Sequence, residues 1–378
     1  MSAATLLTAI LLAACAYQSG ALAVLLQFCR RRSGEGQSAE SQPGVSILIP
    51  AVSVGEGFAL RLDSHAAQDY PEFEILVGVQ SSEQAALQAV STVRANHPGV
   101  RITAVGSGPP PPGCNPKVHV LERLAVRARH PVLLLVDADV SVPRGHVRGV
   151  VQELSSLGVG AVTCLYRAQP AARLSSQVEA CLINTAFPGQ VLLGERLQGL
   201  RFALGATIVT RSETLRDSGG LARVRHFIGD DYHIGANVAA LGLQVRLSSV
   251  PVCTHLSASD CWKTVWQRQL RWSRVIRKQR PGGHAGLAAS HATICALLAL
   301  LAAPSVTWPL ALAAVLLRFA AASAAARAVG SAGLWRTLVL LPMADVLGFG
   351  AWAGSFLGNT VRWSGRRMRL GKAGRIQG

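Results

Sequence analysis

The chain has 378 residues, half of them hydrophobic, a mean hydropathy of +0.32, and 37 Lys plus Arg against 20 Asp plus Glu, for a formal charge of +17. Its apolar residues are unevenly spread: residues 4–28 form one stretch and residues 288–358 are almost free of acids, where a bilayer-spanning helix needs about 20 apolar residues. This distribution excludes a wholly soluble protein and implies a multi-pass membrane protein with a soluble middle of one domain's size.

In chain order, residues 1–32 are expected to form a transmembrane anchor. A lipoprotein signal competes at Leu12-Ala13-Ala14-Cys15. However, no Lys or Arg precedes the apolar run, which continues to Phe28 and stops at Arg30-Arg31-Arg32, a stop-transfer pattern. The arginines place the following domain on the cytoplasmic side. Residues 33–43 form a polar linker. Within 44–259, strands are predicted at 45–49 (ended by Pro50), 73–79, 100–105 and 132–136, with helices at 60–67, 82–96 and 118–128 between them. Further strands are predicted at 158–165, 204–209 and 243–247. Strands alternating with helices predict an α/β fold, a parallel sheet with helices on both faces.

Residues 260–287 follow as an amphipathic interfacial helix. Trp262, Val265, Trp266, Leu270, Trp272 and Ile276 lie among basic residues at helical spacing, and Pro281-Gly282-Gly283 ends the run. The region 288–360 holds three apolar blocks, at 288–302, 305–327 and 335–358. A basic tail, 361–378, is expected on the cytoplasmic side, which requires an even number of crossings after the soluble domain; the short 288–302 block is therefore expected to be re-entrant or interfacial. The basic clusters at 30–32, 268–280 and 362–372 are expected to meet anionic lipid headgroups, and no nucleic-acid motif accompanies them. The eight cysteines contain no CxxC pair and imply neither a disulfide nor a zinc site.

Chemistry concentrates in three motifs: Asp137-Ala138-Asp139, Asp230-Asp231-Tyr232 and Arg268-Gln269-Leu270-Arg271-Trp272. The first closes the apolar run 131–136, at the carboxyl end of a buried strand, where open α/β sheets bind ligands. Carboxylates at i and i+2 in extended backbone face the same side, toward one cation or diphosphate. Plainer roles compete: Asp137 and Asp139 could cap a loop, Asp230 and Asp231 a helix start, and Arg268 to Trp272 could be a membrane-interface anchor.

Together with Val45-Ser-Ile-Leu-Ile-Pro50, the run from Gln68 to Gln80, Asn115-Pro-Lys117 and the tail Val361 to Arg369, these motifs resemble the ceramide glucosyltransferase group of family 2/21-type membrane glycosyltransferases. They are more closely similar to the bacterial hopanoid-biosynthesis-associated members. The resemblance implies a GT-A-type, Rossmann-like nucleotide-sugar domain in the bacterial inner membrane. Its activity would be inverting transfer of glucose or N-acetylglucosamine from a UDP-sugar to the hydroxyl of a ceramide-like or hopanoid lipid. Asp139 would then ligate Mg2+ or Mn2+, with Asp137 beside it contacting the nucleotide or a metal-bound water. Asp231 would be the general base with Asp230 its acidic neighbour. Lys117, Arg268, Arg271 and Trp272 would contact the donor. The family's first acidic motif is Ser81-Ser82-Glu83 here, so Ser81 or Glu83 would have to replace an aspartate in holding the base, and Phe187 stands where animal members carry histidine. Two further activities stay open: a polysaccharide synthase, for which the apolar blocks are too few to build a channel, and a catalytically weakened membrane scaffold of the same fold.

Overall fold

A computed structural model of the protein describes residues 3–31, 42–52, 54–80, 84–363 and 365–377. Helix α1 (Ala3–Arg31) leads to β1 (Val45–Ala51), α2 (Phe58–Ala66), β2 (Phe73–Gln80), α3 (Gln84–Asn96), β3 (Arg101–Ser107), α4 (Pro116–Ala125) and β4 (Val132–Val136). These agree with the predicted alternation to within a few residues. Pro50 lies inside β1 instead of ending it. The β4 neighbour pairs only as far as Leu48, so the missing amide of Pro50 breaks no ladder on that side. Next come β5 (Val140–Ser141), α5 (His146–Leu154), β6 (Val159–Gln169), α6 (Leu174–Gln198), β7 (Thr207–Arg211), α7 (Ser212–Asp217), α8 (Asp230–Ala240) and β8 (Gln244–His255).

The main sheet has the order β3-β2-β1-β4-β7-β6-β8-β5. It is mostly parallel, in keeping with the expected fold class, with β7 antiparallel to both β4 and β6 and β5 antiparallel to β8. Strands β1 and β4 are buried along their whole length. Alternate side chains feed two cores. Ile47, Ile49, Ile75 and Leu134 pack on α2, α3 and α5, whereas Leu48, Leu76, Leu133 and Leu135 pack on α4.

Two departures reshape the rest. Helix α6, 25 residues long and absent from the predicted elements, lies between the sheet and the apolar helices. Strand β8 runs 12 residues, well past the predicted 243–247, and so brings Thr254 opposite Val140.

Helix α9 (Trp262–Gln279) is followed at once by α10 (Pro281–Gly286), because a proline that cannot extend one helix can begin the next. A 3-10 turn leads to α11 (Ala292–Ala302), α12 (Pro304–Ala328) and α13 (Leu334–Ser355). Among the described residues, α1, α12 and α13 are long and apolar enough to cross a membrane, while segments 281–290 and 292–302 form a pair bent by 62°. Small residues let these helices approach: Ala14 of α1 packs on Ala292, Ala296, Ala311 and Ala314. Inside them, Arg318 of α12 pairs with Asp345 of α13 at 2.7 Å, and Arg318 Nη1 also donates to the Thr185 carbonyl of α6 at 3.0 Å. The basic tail is not a loose charged segment. It forms an antiparallel sheet of β9 (Thr360–Trp363), β10 (Arg366–Leu370) and β11 (Ile376–Gln377), whose Val361, Met368 and Leu370 pack on Val275 and Ile228.

Candidate active site

Asp137 and Asp139 lie just beyond the carboxyl end of β4. Buried Arg61 fixes the turn between them by donating from Nε to the Ala138 carbonyl at 3.0 Å. Asp139 is held from the far edge of the sheet: Thr254 Oγ1 donates to its Oδ2 at 3.0 Å, and the His255 amide to its carbonyl at 2.9 Å. That clamp depends on the unforeseen length of β8. Asp139 faces a cavity yet is crowded by protein. Burial, then the charge of Asp137, raises its pKa above the usual carboxylate range.

The Asn115-Pro116-Lys117 motif joins the two acidic motifs. Asn115 caps α4 by accepting from the amides of Lys117 and Val118, at 2.9 and 3.3 Å. Its amide group donates to the Phe227 carbonyl at 2.8 Å and to Asp230 Oδ1 at 3.3 Å. One residue past the proline, Lys117 Nζ lies 2.7 Å from Asp137 Oδ1 and 3.4 Å from Asp230 Oδ2. The longer distance is an ionic contact without hydrogen-bond geometry. Burial pulls the Lys117 pKa down, but Asp137, Asp230 and Asp231 together outweigh it, so the amine stays charged.

Asp230 and Asp231 open α8, as acids at a helix start should. Asp230 is buried, and its pKa is raised by burial against the opposing charge of Lys117. Asp231 is half-buried; its pKa is raised to about 6 by burial and then by Asp230. Gly205, which no sequence motif marks, lies between the two acidic motifs. A β-carbon there would stand 3.1 Å from Asp231 Oδ2 and 3.5 Å from Asp137 Oδ2. Residues 94 apart in sequence thus face one another across a gap that only a bare backbone leaves open.

These carboxylates line a cavity of about 1650 Å3 together with Lys117, Tyr166, Phe187, Arg268, Arg271 and Trp272. Phe187 stacks on Tyr166 with ring centroids 4.5 Å apart. The three α9 residues behave differently. Arg268 reaches the cavity wall, but its guanidinium is spent on Glu179 of α6, at 2.8 and 2.5 Å, and on Asp260 at 2.5 Å. These contacts anchor α9 to α6, and Arg268 keeps its place in the cavity wall. Glu179 is the one acid in residues 174–185, and nothing local in the sequence pairs it with Arg268. Arg271 sits over the Trp363 ring at 6.0 Å, and burial, then Arg268, lowers its pKa to about 10, which leaves it charged at neutral pH. Trp272 packs on Ala168, Ala180 and Ile183. Ser81 and Glu83 lie outside the described residues.

The tail sheet meets the same site. The Ile228 amide donates to the Gly374 carbonyl at 3.3 Å, the Ile376 amide to the His226 carbonyl at 2.7 Å, and His233 Nε2 lies 3.0 Å from the Ala373 carbonyl. The loop that delivers Asp230 and Asp231 is therefore bonded to the last residues of the chain, and Arg362, Trp363 and Arg367 join the cavity wall.

Among the described residues no group of three or more His, Cys, Asp or Glu has metal-ligand geometry. Asp137 and Asp139 nevertheless suit Mg2+ or Mn2+, which take one or two carboxylates and complete their shell with water and substrate phosphates.

The sheet order, the acids beyond β4 and at the start of α8, and the apolar helices define a GT-A-type glycosyltransferase fold. A mannosyltransferase from Pyrobaculum calidifontis, solved in complex with GDP-Man and Mn2+, has this fold: it superimposes with a TM-score of 0.50 at 19% identity, over 93% of this chain and 99% of that one. The chain belongs to glycosyl transferase family 21, whose description it matches over residues 6–376. It is 24% identical over 234 residues to ceramide glucosyltransferase 1 of Caenorhabditis elegans and 22% identical over 236 residues to ceramide glucosyltransferase 3 of the same organism. Each match covers 62% of this chain, and the chain spans about half the length of these curated relatives.

Proposed function

We propose that the protein transfers glucose or N-acetylglucosamine, with inversion, from a UDP-sugar to the hydroxyl of a membrane lipid of ceramide-like or hopanoid type, in a bacterial inner membrane with its catalytic domain on the cytoplasmic side. One observation carries this: a single cavity has the four aspartates in its wall and continues between the apolar helices to Tyr17, Leu182, Val191 and Trp352. A polar donor and a lipid can therefore meet without the lipid leaving an apolar surround. The ceramide glucosyltransferase names of the relatives support the lipid acceptor.

In this mechanism Asp139, with Asp137 beside it, would hold Mg2+ or Mn2+. The bound ion would neutralise the charge that accumulates on the departing diphosphate. Arg271, which lines the cavity and has no carboxylate partner among the described residues, meets the diphosphate oxygens from the membrane side. Lys117 stays charged and holds Asp137 and Asp230 in place. Asp231, with its pKa raised to about 6, is ionised at neutral pH and is still basic enough to accept a proton. It takes the acceptor hydroxyl's proton as that oxygen bonds to C1 of the sugar, and the C1–O bond to the nucleoside diphosphate breaks on the opposite face. The basic tail and α9 bind anionic headgroups and hold the domain against the bilayer.

The test is Asp231→Asn, assayed with radiolabelled UDP-sugars and extracted lipid. Transfer to the lipid fraction should vanish while UDP-sugar binding persists; equal loss of binding would remove Asp231 as the base. Polymeric product from the unaltered protein would favour a polysaccharide synthase, and absence of turnover a scaffold.

A further inference from the structure

Helix α13 has the length and hydropathy of a membrane crossing, yet both of its ends are tied to the α/β domain. Its 22 residues reach about 33 Å, enough for a hydrocarbon core of about 30 Å. Just before it, Arg167 of β6 donates from Nη1 to the Gly330 carbonyl at 2.8 Å. Asn184 of α6 donates to Ser331 Oγ at 3.3 Å. The same amide side chain grips Ala168 of β6, accepting from its N–H at 2.7 Å and donating to its carbonyl at 3.0 Å. Just after α13, Arg277 of α9 donates from Nη2 to the Gly358 carbonyl at 2.9 Å and to Asn359 Oδ1 at 2.6 Å, and Arg274 donates to the Thr360 carbonyl. The tail that follows is bonded to residues 226–233 of the domain.

A helix that crossed a bilayer would leave its ends on opposite sides, and one folded domain cannot reach both. After α9 the chain instead leaves the domain and comes back: Gln279 donates to the Gly229 carbonyl at 3.3 Å, α10 and α11 lead away, and α12 returns to Gly330. The packing of α13 agrees with a helix laid along the domain. Its inner face sets Leu341 and Ala344 on Val178 and Cys181 of α6, and a β-carbon at Gly350 would stand 3.2 Å from the Trp266 ring of α9. Its outer face carries Trp335, Val339, Met343 and Val346, spaced by four, four and three residues and between 44% and 68% exposed. Arg336 lies over the Trp335 ring at 5.3 Å, a cation and an indole of the kind that sit at headgroup level. Asp345 ties the helix to Arg318 of α12, on which Leu312 and Leu316 are exposed too, so the outer face adjoins the apolar surface of the membrane helices.

We propose that α13 does not cross the membrane but docks on the leaflet nearest the domain, with Trp335, Val339, Met343 and Val346 among its acyl chains. A consequence for the cavity follows. Helix α6 begins and ends in the main sheet, between β6 and β7, so it does not cross either. Together α6 and α13 supply Leu182, Val191, Gly348, Ala351 and Trp352 to the apolar end of the cavity. The lipid acceptor therefore enters from the domain-side leaflet, and the glycosylated product returns to it without translocation. This entry route rests on the proposed transferase function; the docking of α13 does not.

The experiment places an azide-bearing amino acid at one of three exposed positions of the full chain: Val126 in the domain, Ala332 before α13 and Lys372 after it. In sealed proteoliposomes selected for outward-facing domains, a membrane-impermeant dye should label all three equally. A Lys372 position that labels only after the vesicles are opened makes α13 a crossing and overturns the proposal. Spin labels at Val339 and Val346 identify what covers the outer face. Acyl chains make their relaxation sensitive to dissolved oxygen and not to an aqueous nickel chelate. Sensitivity to nickel would leave the face in water, and insensitivity to both would assign it to a second copy of the chain; either overturns the docking. Transfer is then read with a slow-flipping acceptor confined to one leaflet. It should proceed from the outer leaflet only. Transfer from the inner leaflet overturns the entry route, and none from either leaflet refutes the transferase function while the docking stands.

Discussion

Asp231→Asn should make the protein more stable at neutral pH while it abolishes transfer. In the folded protein the Asp231 pKa rises from 3.8 to about 6, so the native state binds this proton more tightly than the unfolded chain does. Stability then falls as pH climbs through that window, and the full penalty is present above about pH 6. At 1.36 kcal/mol for each tenfold change in proton affinity, a rise of this size corresponds to about 3 kcal/mol. Because Asp231 is only half-buried and its protonation is linked to that of Asp230, the penalty expected after solvent screening is about 2 kcal/mol. Asparagine has the shape of the protonated acid and carries no penalty. Thermal unfolding of the full chain in detergent should show Asp231→Asn melting several degrees higher at pH 7.5. That gain should shrink at pH 5 and vanish near pH 4, where both forms are neutral. A variant that melts lower at pH 7.5, or a gain independent of pH, would show that burial does not load this carboxylate and would undo its assignment as a tuned base.

Gly205→Ala should leave the fold intact and cut transfer at least tenfold, because its methyl would sit 3.1 Å from Asp231 Oδ2 and 3.5 Å from Asp137 Oδ2; circular dichroism alongside the radiolabel assay separates the two effects. Arg268→Ala strands Glu179, 0% exposed, and Asp260, 4% exposed, as buried unpaired acids. It should destabilise the protein by about 3–5 kcal/mol, visible as a lower melting temperature and poor recovery from the membrane, whereas Arg271→Ala should chiefly raise the KM for the UDP-sugar. Deleting residues 360–378 removes the strand that bonds to residues 226–233 and should abolish transfer while the apolar helices still insert, as membrane fractionation would report.

Local interactions were legible in the sequence and distant ones were not. Strand β4 with Asp137 and Asp139 at its end, the helix start at Asp230-Asp231, and the amphipathic α9 could be placed from sequence, because a period of two, a period of 3.6 and a terminal acid are local consequences of backbone geometry. Asn115-Pro116-Lys117 was visible as a motif, but its use was not: Lys117 lies 20 residues from Asp137 and 113 from Asp230, and only the sheet brings them together.

Arg268 illustrates the limit best. A cation beside Trp272 suits a diphosphate or a buried acid equally well, and its pairing with Glu179, 89 residues earlier on a helix that the hydrophobic pattern did not announce, could not be read from the motif. Gly205, Thr254 and the tail sheet belong to the same class. Local pattern determined which segments are strands, spans and acid-bearing turns, since each depends on neighbours within a few residues. The tertiary structure alone decided which charges cancel, which stay free to work, and that the cavity with the acids in its wall continues among the membrane helices, because charge pairing and enclosure depend on distances that chain order does not encode.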